Sequence, residues 1–343
     1  MNNFIDAFCG AGGMSLGLID AGFEISSALD LDAMAVLTHE MNLPGMVFEC
    51  DVRYVSGKAL LRRSGLSDGE LTLLCGGPPC QGFSMQRKDG HQDSRNSLVS
   101  EFSRLVKEMK PRFFLFENVR AIKGIRGDRF ISPMTDELKS EGYNISPFIY
   151  EMQRYGIPQS RSRFVIVGEL GGETFRHPLP NDEIKTVRDA IGDLPDPPED
   201  GSEHPDFPNH IGSNLSKKNI ERFSHVPPGG GWMDIPVDLM LPCHRRMLES
   251  GAKGGMWPDV YGRLEWDLPA PTITTGFDSF TRGRYGHPSK DRALTPREAA
   301  RIQGFPDWFR FRGNREDVRK QIGNAVPPPL AEAIGRAILE GIR

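Results

Sequence analysis

The sequence predicts an α/β fold with a doubly wound, mostly parallel sheet and a smaller, irregular second region. Short apolar runs alternate with segments of helical periodicity over the first half of the chain. A glycine-rich loop, residues 9–13, directly follows the first apolar run. After about Pro178, Pro- and Gly-rich stretches replace this alternation until about Lys290.

The alternation assigns the elements in order. Short apolar runs between turn residues predict strands, and longer segments with apolar residues at helical spacing predict helices. The expected strands are 3–7, 24–29, 46–50, 71–75, 112–117, 144–150 and 163–169. The expected helices are 13–21, 32–42, 96–109, 129–141 and 327–342. The last helix begins with proline and has an apolar face, Leu330, Ile334 and Ile338, that we expect to dock on the first region.

We therefore expect domains at 1–185 and 186–292, with residues 293–343 returning to the first domain.

Composition limits the class of protein. The net charge is −4 over 343 residues, so contact with nucleic acid needs a local patch. Residues 209–292 contain eleven Lys and Arg, nine Asp and Glu and four of the eight histidines, a modest excess of positive charge whose sign suits a region that faces phosphate. The cysteines are odd in number and lack metal-type spacing: Cys9, Cys50, Cys75, Cys80 and Cys243. We therefore expect a reduced, cytoplasmic protein without a metal, a signal peptide or a membrane span.

A candidate nucleophile lies in Gly77-Pro78-Pro79-Cys80-Gln81, directly after a predicted buried strand. Proline fixes its own φ angle and restrains the residue before it, so the two prolines hold the Cys80 thiol in place. A thiol at the end of a strand and the mouth of a loop is suited to nucleophilic attack. The alternative is a buried structural cysteine.

The glycine loop is a candidate cofactor site, although many such loops are plain tight turns. Its glycines let the backbone approach a ligand, and helix amides point towards it. Asp30 ends the next strand about 20 residues on, the spacing at which an acid meets a ribose hydroxyl. Asp51 ends the third strand. The pattern favours a cofactor containing a nucleoside, although the loop departs from the strict dinucleotide fingerprint.

Two further motifs carry charged groups at strand ends. Glu117 follows an apolar strand, where burial would raise its pKa and suit it to proton donation, unless it is only a cap or turn residue. Gln159, Arg161 and Arg163 alternate along a strand, so we expect their heads to converge on one acceptor. A solvated edge strand is the alternative.

The ordered set of motifs resembles the DNA (cytosine-5) methyltransferases of bacterial restriction-modification systems. The matching motifs run from the first strand to the last helix and leave roughly 185–262 without a motif, which in that family is the variable target-recognition region. They are Phe8-Cys9-Gly10-Ala11-Gly12-Gly13, Pro78-Pro79-Cys80-Gln81, Glu117-Asn118-Val119, Gln159-x-Arg161-x-Arg163, Arg263 with Pro269-Ala270-Pro271-Thr272-Ile273, and Gln321-Ile322-Gly323-Asn324-Ala325-Val326-Pro327. The resemblance implies a Rossmann-like class I methyltransferase fold with a smaller target-recognition domain.

The resemblance also implies the chemistry. Cys80 would add to carbon 6 of a flipped-out cytosine, and Glu117 would hydrogen-bond the exocyclic amine and ring nitrogen 3. Arg163 and Arg161 would face the ring carbonyl oxygen. The methyl donor would be S-adenosylmethionine, with S-adenosylhomocysteine as product. The family's cofactor pocket corresponds to Phe8, Gly10, Gly12, Gly13, Asp30, Leu31, Asp51, Val52, Pro79, Leu98, Asn324 and Val326.

Double-stranded DNA is the implied partner, together with a restriction endonuclease that acts separately on the same sites. The polar segment 82–95 resembles the family's mobile DNA loop, with Ser84, Gln86 and Arg87 as candidate contacts. In the second region, Arg282 and Arg284 are candidates for reading guanine. Lys217 and Lys218 are candidates for holding phosphate. By analogy the protein would be a monomer.

Other functions remain open at this point. A transfer-RNA cytosine-5 methyltransferase would use the same catalytic region, although a long middle region suited to groove reading argues against it. A non-catalytic DNA-binding module would not need Cys80, Glu117 or the arginines. A nicotinamide dehydrogenase would share the sheet but leaves Pro-Pro-Cys-Gln unexplained.

Overall fold

The computed structural model describes residues 2–79, 97–250 and 257–342. Two compact units are formed. The first contains Met1–Tyr155, Arg161–Asp182 and Ala325–Arg343, and the second contains Gly156–Ser160 and Glu183–Asn324. No helix in the described ranges is long and apolar enough to span a bilayer.

A seven-stranded sheet forms the centre of the first unit, in the order β3-β2-β1-β4-β5-β8-β6. The strands are β1 (Asn3–Ala7), β2 (Glu24–Asp30), β3 (Met46–Glu49), β4 (Leu73–Gly76), β5 (Phe113–Val119), β6 (Tyr143–Glu151) and β8 (Ser162–Leu170). Strands β1 to β5 are parallel, whereas β8 runs antiparallel to both β5 and β6. The predicted α/β class with a mostly parallel sheet is confirmed.

Helices alternate with the strands, and all of those in the first unit except Gly57–Arg63 were expected from the apolar periodicity. Those of the first unit are α1 (Gly13–Ala21), α2 (Ala33–Asn42), α3 (Gly57–Arg63), α4 (Ser97–Met109), α5 (Ile125–Ser140) and α11 (Pro328–Ile342). Short 3-10 helices occupy Val52–Tyr54, Arg120–Lys123 and Met152–Tyr155. The largest error in a boundary is at α5, which starts four residues before the predicted residue 129. Its first turn contains glycine and charged residues and so lacks the apolar period that marks the rest.

Aromatic side chains fill the core between the sheet and α4. Phe102 on α4 packs edge to face against Phe114 and Phe116 of β5, with ring centroids 6.3 and 5.5 Å apart. All three are fully buried. Since successive side chains on a strand point to opposite faces, the two β5 phenylalanines share the face that α4 covers. This packing holds β5 rigidly, and β5 ends at Glu117-Asn118-Val119.

The closing helix α11 packs against α1 in the first unit, as predicted. Its apolar residues Leu330, Ile334 and Ile338 are at most 2% exposed. The approach is close because Gly17 of α1 has no side chain: a Cβ there would lie 2.1 Å from the carbonyl oxygen of Pro328. The C-terminal segment is therefore an integral part of the first unit.

The second unit has little regular structure, in agreement with its Pro- and Gly-rich sequence. Its strands are β7 (Gln159–Ser160), β9 (Gly262–Arg263), β10 (Ala270–Pro271) and β11 (Arg284–Gly286). Its helices are α6 (Val187–Ile191), α7 (Lys217–Ser224), α8 (Pro242–Glu249), α9 (Pro296–Ile302) and α10 (Arg315–Asn324). Phe223 stacks on Phe280, with centroids 4.0 Å apart, in a core of its own.

In this unit the buried side chain of Arg263 satisfies backbone carbonyl groups that strand pairing leaves without a partner. The Arg263 guanidinium lies 4.1 Å from the ring centroid of Phe223 and donates to the carbonyl oxygens of Val226, His287 and Lys290. A guanidinium can satisfy several carbonyl groups that no strand partner reaches. The longer segment of the second unit starts at residue 183, near the expected 186, and extends to Asn324, so it includes most of the segment expected to return to the first domain.

Candidate active site

The carboxyl ends of β1, β2, β4 and β5 meet at one edge of the sheet, because these strands are parallel neighbours. The amino end of β8 reaches the same edge, since Arg163 pairs with Val119 in the antiparallel ladder. The motifs that predicted chemistry in the first unit therefore come together here. Ligands of open α/β sheets bind at this edge.

The glycine loop begins with a sharp turn. Phe8 takes a positive φ of 78°, and its amide and that of Cys9 both donate to the Leu29 carbonyl oxygen at 3.0 Å. Gly12, at φ 99°, precedes the first turn of α1. A Cβ at Gly10 would meet no atom within 4 Å, so open space lies beside the loop. The backbone is therefore arranged for a ligand to approach it closely.

Asp30 holds this loop through its carboxylate. Its Oδ2 accepts from the Gly10 amide at 2.8 Å, and its Oδ1 accepts from the Asp32 amide at 2.9 Å. Burial raises the Asp30 pKa, and the two hydrogen bonds act in the opposite direction. Leu31 next to it is 64% exposed, whereas Val52 is 5% exposed.

The other predicted cofactor-binding residues differ in their burial and in their hydrogen-bond partners. Asp51 caps the 3-10 helix at Val52 and pairs with Arg53, with Nε–Oδ1 at 3.0 Å, a partner that the sequence reasoning missed. Pro79 is exposed. Leu98 and Val326 are half-buried in the first unit, while Asn324 is exposed at the end of α10 in the second.

The segment before Cys80 is fixed to β5. Asn118 donates from Nδ2 to the Pro78 carbonyl oxygen at 2.9 Å, and its Oδ1 accepts from the Val119 amide. Asn118 is 4% exposed. Cys80 lies outside the described residues, as do Ser84, Gln86 and Arg87. The chain entering the nucleophile position is therefore anchored by a side chain to which the sequence analysis gave no role.

Glu117 lies beside the same segment. Arg163 Nε is 2.8 Å from Glu117 Oε1, and a Cβ on Gly77 would be 3.0 Å from Glu117 Oε2. Burial raises the pKa of Glu117, while Arg163 and Arg161 act to lower it. Arg161 also donates to the Ala325 carbonyl oxygen at 3.4 Å. A buried carboxyl group therefore lies among two guanidinium groups and the chain leading to Cys80, suited to hold a proton and donate a hydrogen bond.

The expectation that Gln159 converges with Arg161 and Arg163 is wrong. Gln159 is fully buried, its Nε2 donates to Gln303 Oε1 at 2.8 Å, and its Oε1 accepts from the Ile273 amide at 2.9 Å. Its backbone belongs to β7, which pairs with β10 in the second unit rather than continuing β8. Strand geometry is interrupted at Arg161, between β7 and β8, so the alternation assumed across 159–163 does not hold.

Of the four candidate DNA contacts described, three are exposed. Lys217 and Lys218 lie in the first turn of α7, and Arg282 ends the short 3-10 helix Phe280–Arg282. Arg284 differs, because its guanidinium donates to the carbonyl oxygens of Gly229 (2.6 Å), Gly230 (2.7 Å) and Arg263 (3.2 Å) and pairs with Asp259. These internal bonds argue against guanine reading by Arg284, since most of its donors are used.

Comparisons with known proteins agree with this arrangement. The sequence model of the family described as C-5 cytosine-specific DNA methylase matches residues 2–340. The chain is 36% identical to the type II methylase M.HgiDII of Herpetosiphon aurantiacus, over 98% of this chain and 96% of that protein. It is 37% identical to the type II methyltransferase M.PspPI of Psychrobacter sp. (strain TA137), over 98% and 79%.

Solved structures share the fold. A protein assigned as a prophage-encoded DNA modification methyltransferase of E. coli superposes with a TM-score of 0.76 at 28% identity, covering 100% of this chain and 99% of that one. The Dnmt2 methyltransferase of S. pombe superposes with a TM-score of 0.64 at 17% identity, covering 100% of both chains.

Proposed function

Because the chain belongs to the C-5 cytosine-specific DNA methylases, we propose that it methylates carbon 5 of a flipped-out cytosine within a specific duplex sequence. The proposed methyl donor is S-adenosylmethionine. The observation that supports this most directly is the pairing of buried Glu117 with Arg163 beside the Gly77–Pro79 segment that leads to Cys80. That arrangement suits a pyrimidine whose ring nitrogen needs a hydrogen-bond donor while a nucleophile attacks nearby.

The residues of the glycine loop fit the proposed cofactor. Open space beside Gly10, the Asp30 carboxylate and the exposed face of Leu31 would take a methionine portion, a ribose and an adenine respectively. Asp51 would approach the adenine amine. The other residues of the first unit proposed to line the pocket are Phe8, Gly12, Gly13, Val52, Pro79, Leu98 and Val326. When bound, S-adenosylmethionine supplies an electrophilic methyl group.

The protein's own residues would carry the remaining steps. The Cys80 thiolate forms a bond to carbon 6, and Glu117 donates a hydrogen bond to ring nitrogen 3, which makes carbon 5 electron-rich. Arg163 and Arg161 stabilise the negative charge that develops on the ring carbonyl oxygen. After methylation the proton on carbon 5 leaves to a base, the bond to sulfur breaks and the Cys80 thiolate is restored. A base inside a duplex is out of reach, so flipping precedes these steps.

Two experiments test the proposal. Bisulfite sequencing of DNA from cells that express the protein should show one methylated sequence context, and Cys80→Ser should abolish it. Incubation with S-adenosylmethionine and duplexes that contain 5-fluorocytosine should trap a covalent conjugate stable to denaturing electrophoresis, because after methyl transfer the fluorine on carbon 5 cannot leave as a proton does. Methylation of small RNA without methylation of duplex DNA would overturn the DNA assignment.

The type II relatives also support a restriction-modification role. We propose that a cognate endonuclease acts separately on the same sites and that the enzyme works as a monomer. Light scattering on the purified protein should give a mass near 38.2 kDa. A plasmid methylated by the enzyme should resist the endonuclease that cuts its recognition sequence.

A further inference from the structure

A buried hydrogen-bond chain lies beneath the glycine loop, and the proposed chemistry does not use it. Ser15 Oγ donates to Asp6 Oδ2 at 2.6 Å, and His39 Nε2 lies 3.1 Å from Ser15 Oγ. Asp6, Ser15 and His39 are 1%, 0% and 1% exposed, respectively. Burial lowers the His39 pKa to about 4, so the ring is neutral near pH 7. Since the serine proton goes to Asp6, the His39 N–H donates to the serine oxygen.

The chain joins the three elements that surround the loop. Asp6 is on β1, which enters it; Ser15 is in the first turn of α1, which leaves it; and His39 is on α2. His39 also lies against the loop itself, because a Cβ on Gly12 would be 2.9 Å from the His39 ring carbon Cδ2. The position of the Gly12 backbone therefore depends on where the His39 ring is held.

Stability alone does not explain such a chain. Burial of Asp6 is unfavourable enough to raise its pKa to about 7, and apolar residues of similar volume often stabilise a core as well as buried polar groups do. What a buried polar chain adds is a single geometry, because each hydrogen bond restricts both distance and angle. The geometry fixed here is that of the backbone at Cys9–Gly12.

We propose that Asp6, Ser15 and His39 are positioning residues that hold the glycine loop in its ligand-binding shape before S-adenosylmethionine arrives. The inference rests on the proposed function of the loop. None of the three needs to touch the ligand. Preorganisation of a loop raises affinity by removing the entropy cost of ordering it upon binding. Their loss should therefore raise the dissociation constant and the KM for the cofactor while leaving kcat at saturation nearly unchanged.

The test measures binding of S-adenosylhomocysteine by calorimetry, with the melting temperature of the ligand-free protein measured in parallel. Ser15→Ala should raise the dissociation constant about tenfold, the effect of losing one or two buried hydrogen bonds. Ser103→Ala is the matched control, because Ser103 is 1% exposed and donates to Glu137 Oε2 at 2.7 Å, between α4 and α5. It should lower the melting temperature without changing affinity.

His39 offers a second, independent pair of variants. His39→Gln keeps an N–H donor near the place of Nε2 and should retain most of the affinity. His39→Leu lacks that donor and should lose affinity about as Ser15→Ala does. Rescue by glutamine is not expected of a residue that only fills space.

The outcomes separate the two proposals. Wild-type affinity in Ser15→Ala and His39→Leu, or an equal loss in Ser103→Ala, would overturn the positioning role while leaving the proposed function intact. A wild-type protein that binds no S-adenosylhomocysteine would overturn the cofactor assignment, and the positioning role with it.

Discussion

Arg163 lies across the β5–β8 ladder from Glu117, with its Nε 2.8 Å from the Glu117 carboxylate, although both side chains are nearly buried. Burial disfavours the charged form of both groups, so the Glu117 pKa is raised and the Arg163 pKa is lowered. A buried carboxyl group with a raised pKa still carries its proton at a higher pH than an ordinary glutamate does. The pair thus keeps a proton donor next to the nucleophile segment.

The first prediction concerns that proton. Since Glu117 must be protonated to donate, kcat should fall as pH rises through its raised pKa, and Glu117→Gln should lower kcat about 10²-fold and remove this decline. Glu169→Gln is the control, because Glu169 on β8 pairs at 3.5 Å with Arg112, which directly precedes β5, at the opposite end of the same two strands. Its pH–rate profile should match that of the wild type, and an unchanged profile in Glu117→Gln would argue against the assigned role.

The second prediction concerns Asn118. Removing its bond to Pro78 in Asn118→Ala should lower kcat by about tenfold or more, because the segment before Cys80 loses its anchor and small displacements of a nucleophile reduce rates strongly. Asn3 makes the same two kinds of hydrogen bond, to Glu70 and Thr72, at the far end of the sheet. Asn3→Ala should reduce stability by a similar amount and spare kcat. Single-turnover kinetics on duplex DNA would measure both.

The third prediction follows from the titration of Asp6. Its pKa in the fold, about 7, is above its ordinary value of 3.8. The folded state therefore binds more protons than the unfolded state between these values, and stability falls as pH rises through that window. Asp6→Asn cannot titrate, so relative to wild type it should gain about 2 kcal/mol of unfolding free energy between pH 5 and pH 7.

Urea unfolding at several pH values measures this difference. Ser15 and the thiol of Cys75 on β4 act on Asp6 by hydrogen bonds, and Asp30 acts on it by charge. His39 reaches it through Ser15, and its own pKa of about 4 leaves it neutral over most of the range. A constant difference between wild type and Asp6→Asn from pH 5 to pH 8 would show that Asp6 is ionised throughout.

The fourth prediction concerns the contact of α1 with α11. Gly17→Ala places a Cβ 2.1 Å from the Pro328 carbonyl oxygen, so the helices must separate, and we expect a loss of about 2–4 kcal/mol of unfolding free energy. Gly341→Ala, near the end of α11, meets no atom within 4 Å. It should be neutral or slightly stabilising, because alanine favours helix. Thermal unfolding would distinguish them.

The fifth prediction separates two arginines that are close in sequence. Arg284→Ala should lower the melting temperature by roughly 5 °C, because three carbonyl groups of the second unit lose a charged donor. Arg282→Ala should leave the melting temperature unchanged and weaken or relax methylation of DNA. Bisulfite sequencing of a plasmid methylated by each variant measures the change in DNA methylation. A normal sequence preference in Arg282→Ala would show that Arg282 does not contribute to base recognition.

The sequence predicted the elements of the first unit closely, because each has a strong local signal. The strand 3–7 and the helix 13–21 were predicted to the residue, since a glycine loop separates the two apolar segments. Glu117 and Arg163 were identified as candidate site residues for a similar reason. Each is a charged residue near one end of an apolar strand, and functional side chains commonly lie at strand ends. Because neighbouring parallel strands place their carboxyl ends at the same edge of a sheet, residues at those ends lie close together.

The misses share a different cause. Gln159, Asn118 and Arg284 form hydrogen bonds with residues that are 40 to 144 positions away or in irregular loops. Such partners cannot be predicted from the local sequence. The buried chain from Asp6 through Ser15 to His39 likewise spans three elements. A polar residue inside an apolar strand, such as Asp6, was the one available signal, since such a residue is costly unless it is paired.

The chain passes between its two units after residues 155, 160, 182 and 324. Neither unit is therefore a single stretch that can be exchanged between related enzymes by one cut and one join. A chimera meant to inherit another enzyme's sequence preference would have to carry 156–160 along with 183–324, because β7 completes a ladder with β10. Transplanting the long segment alone would leave Gln303 facing a foreign partner in place of Gln159.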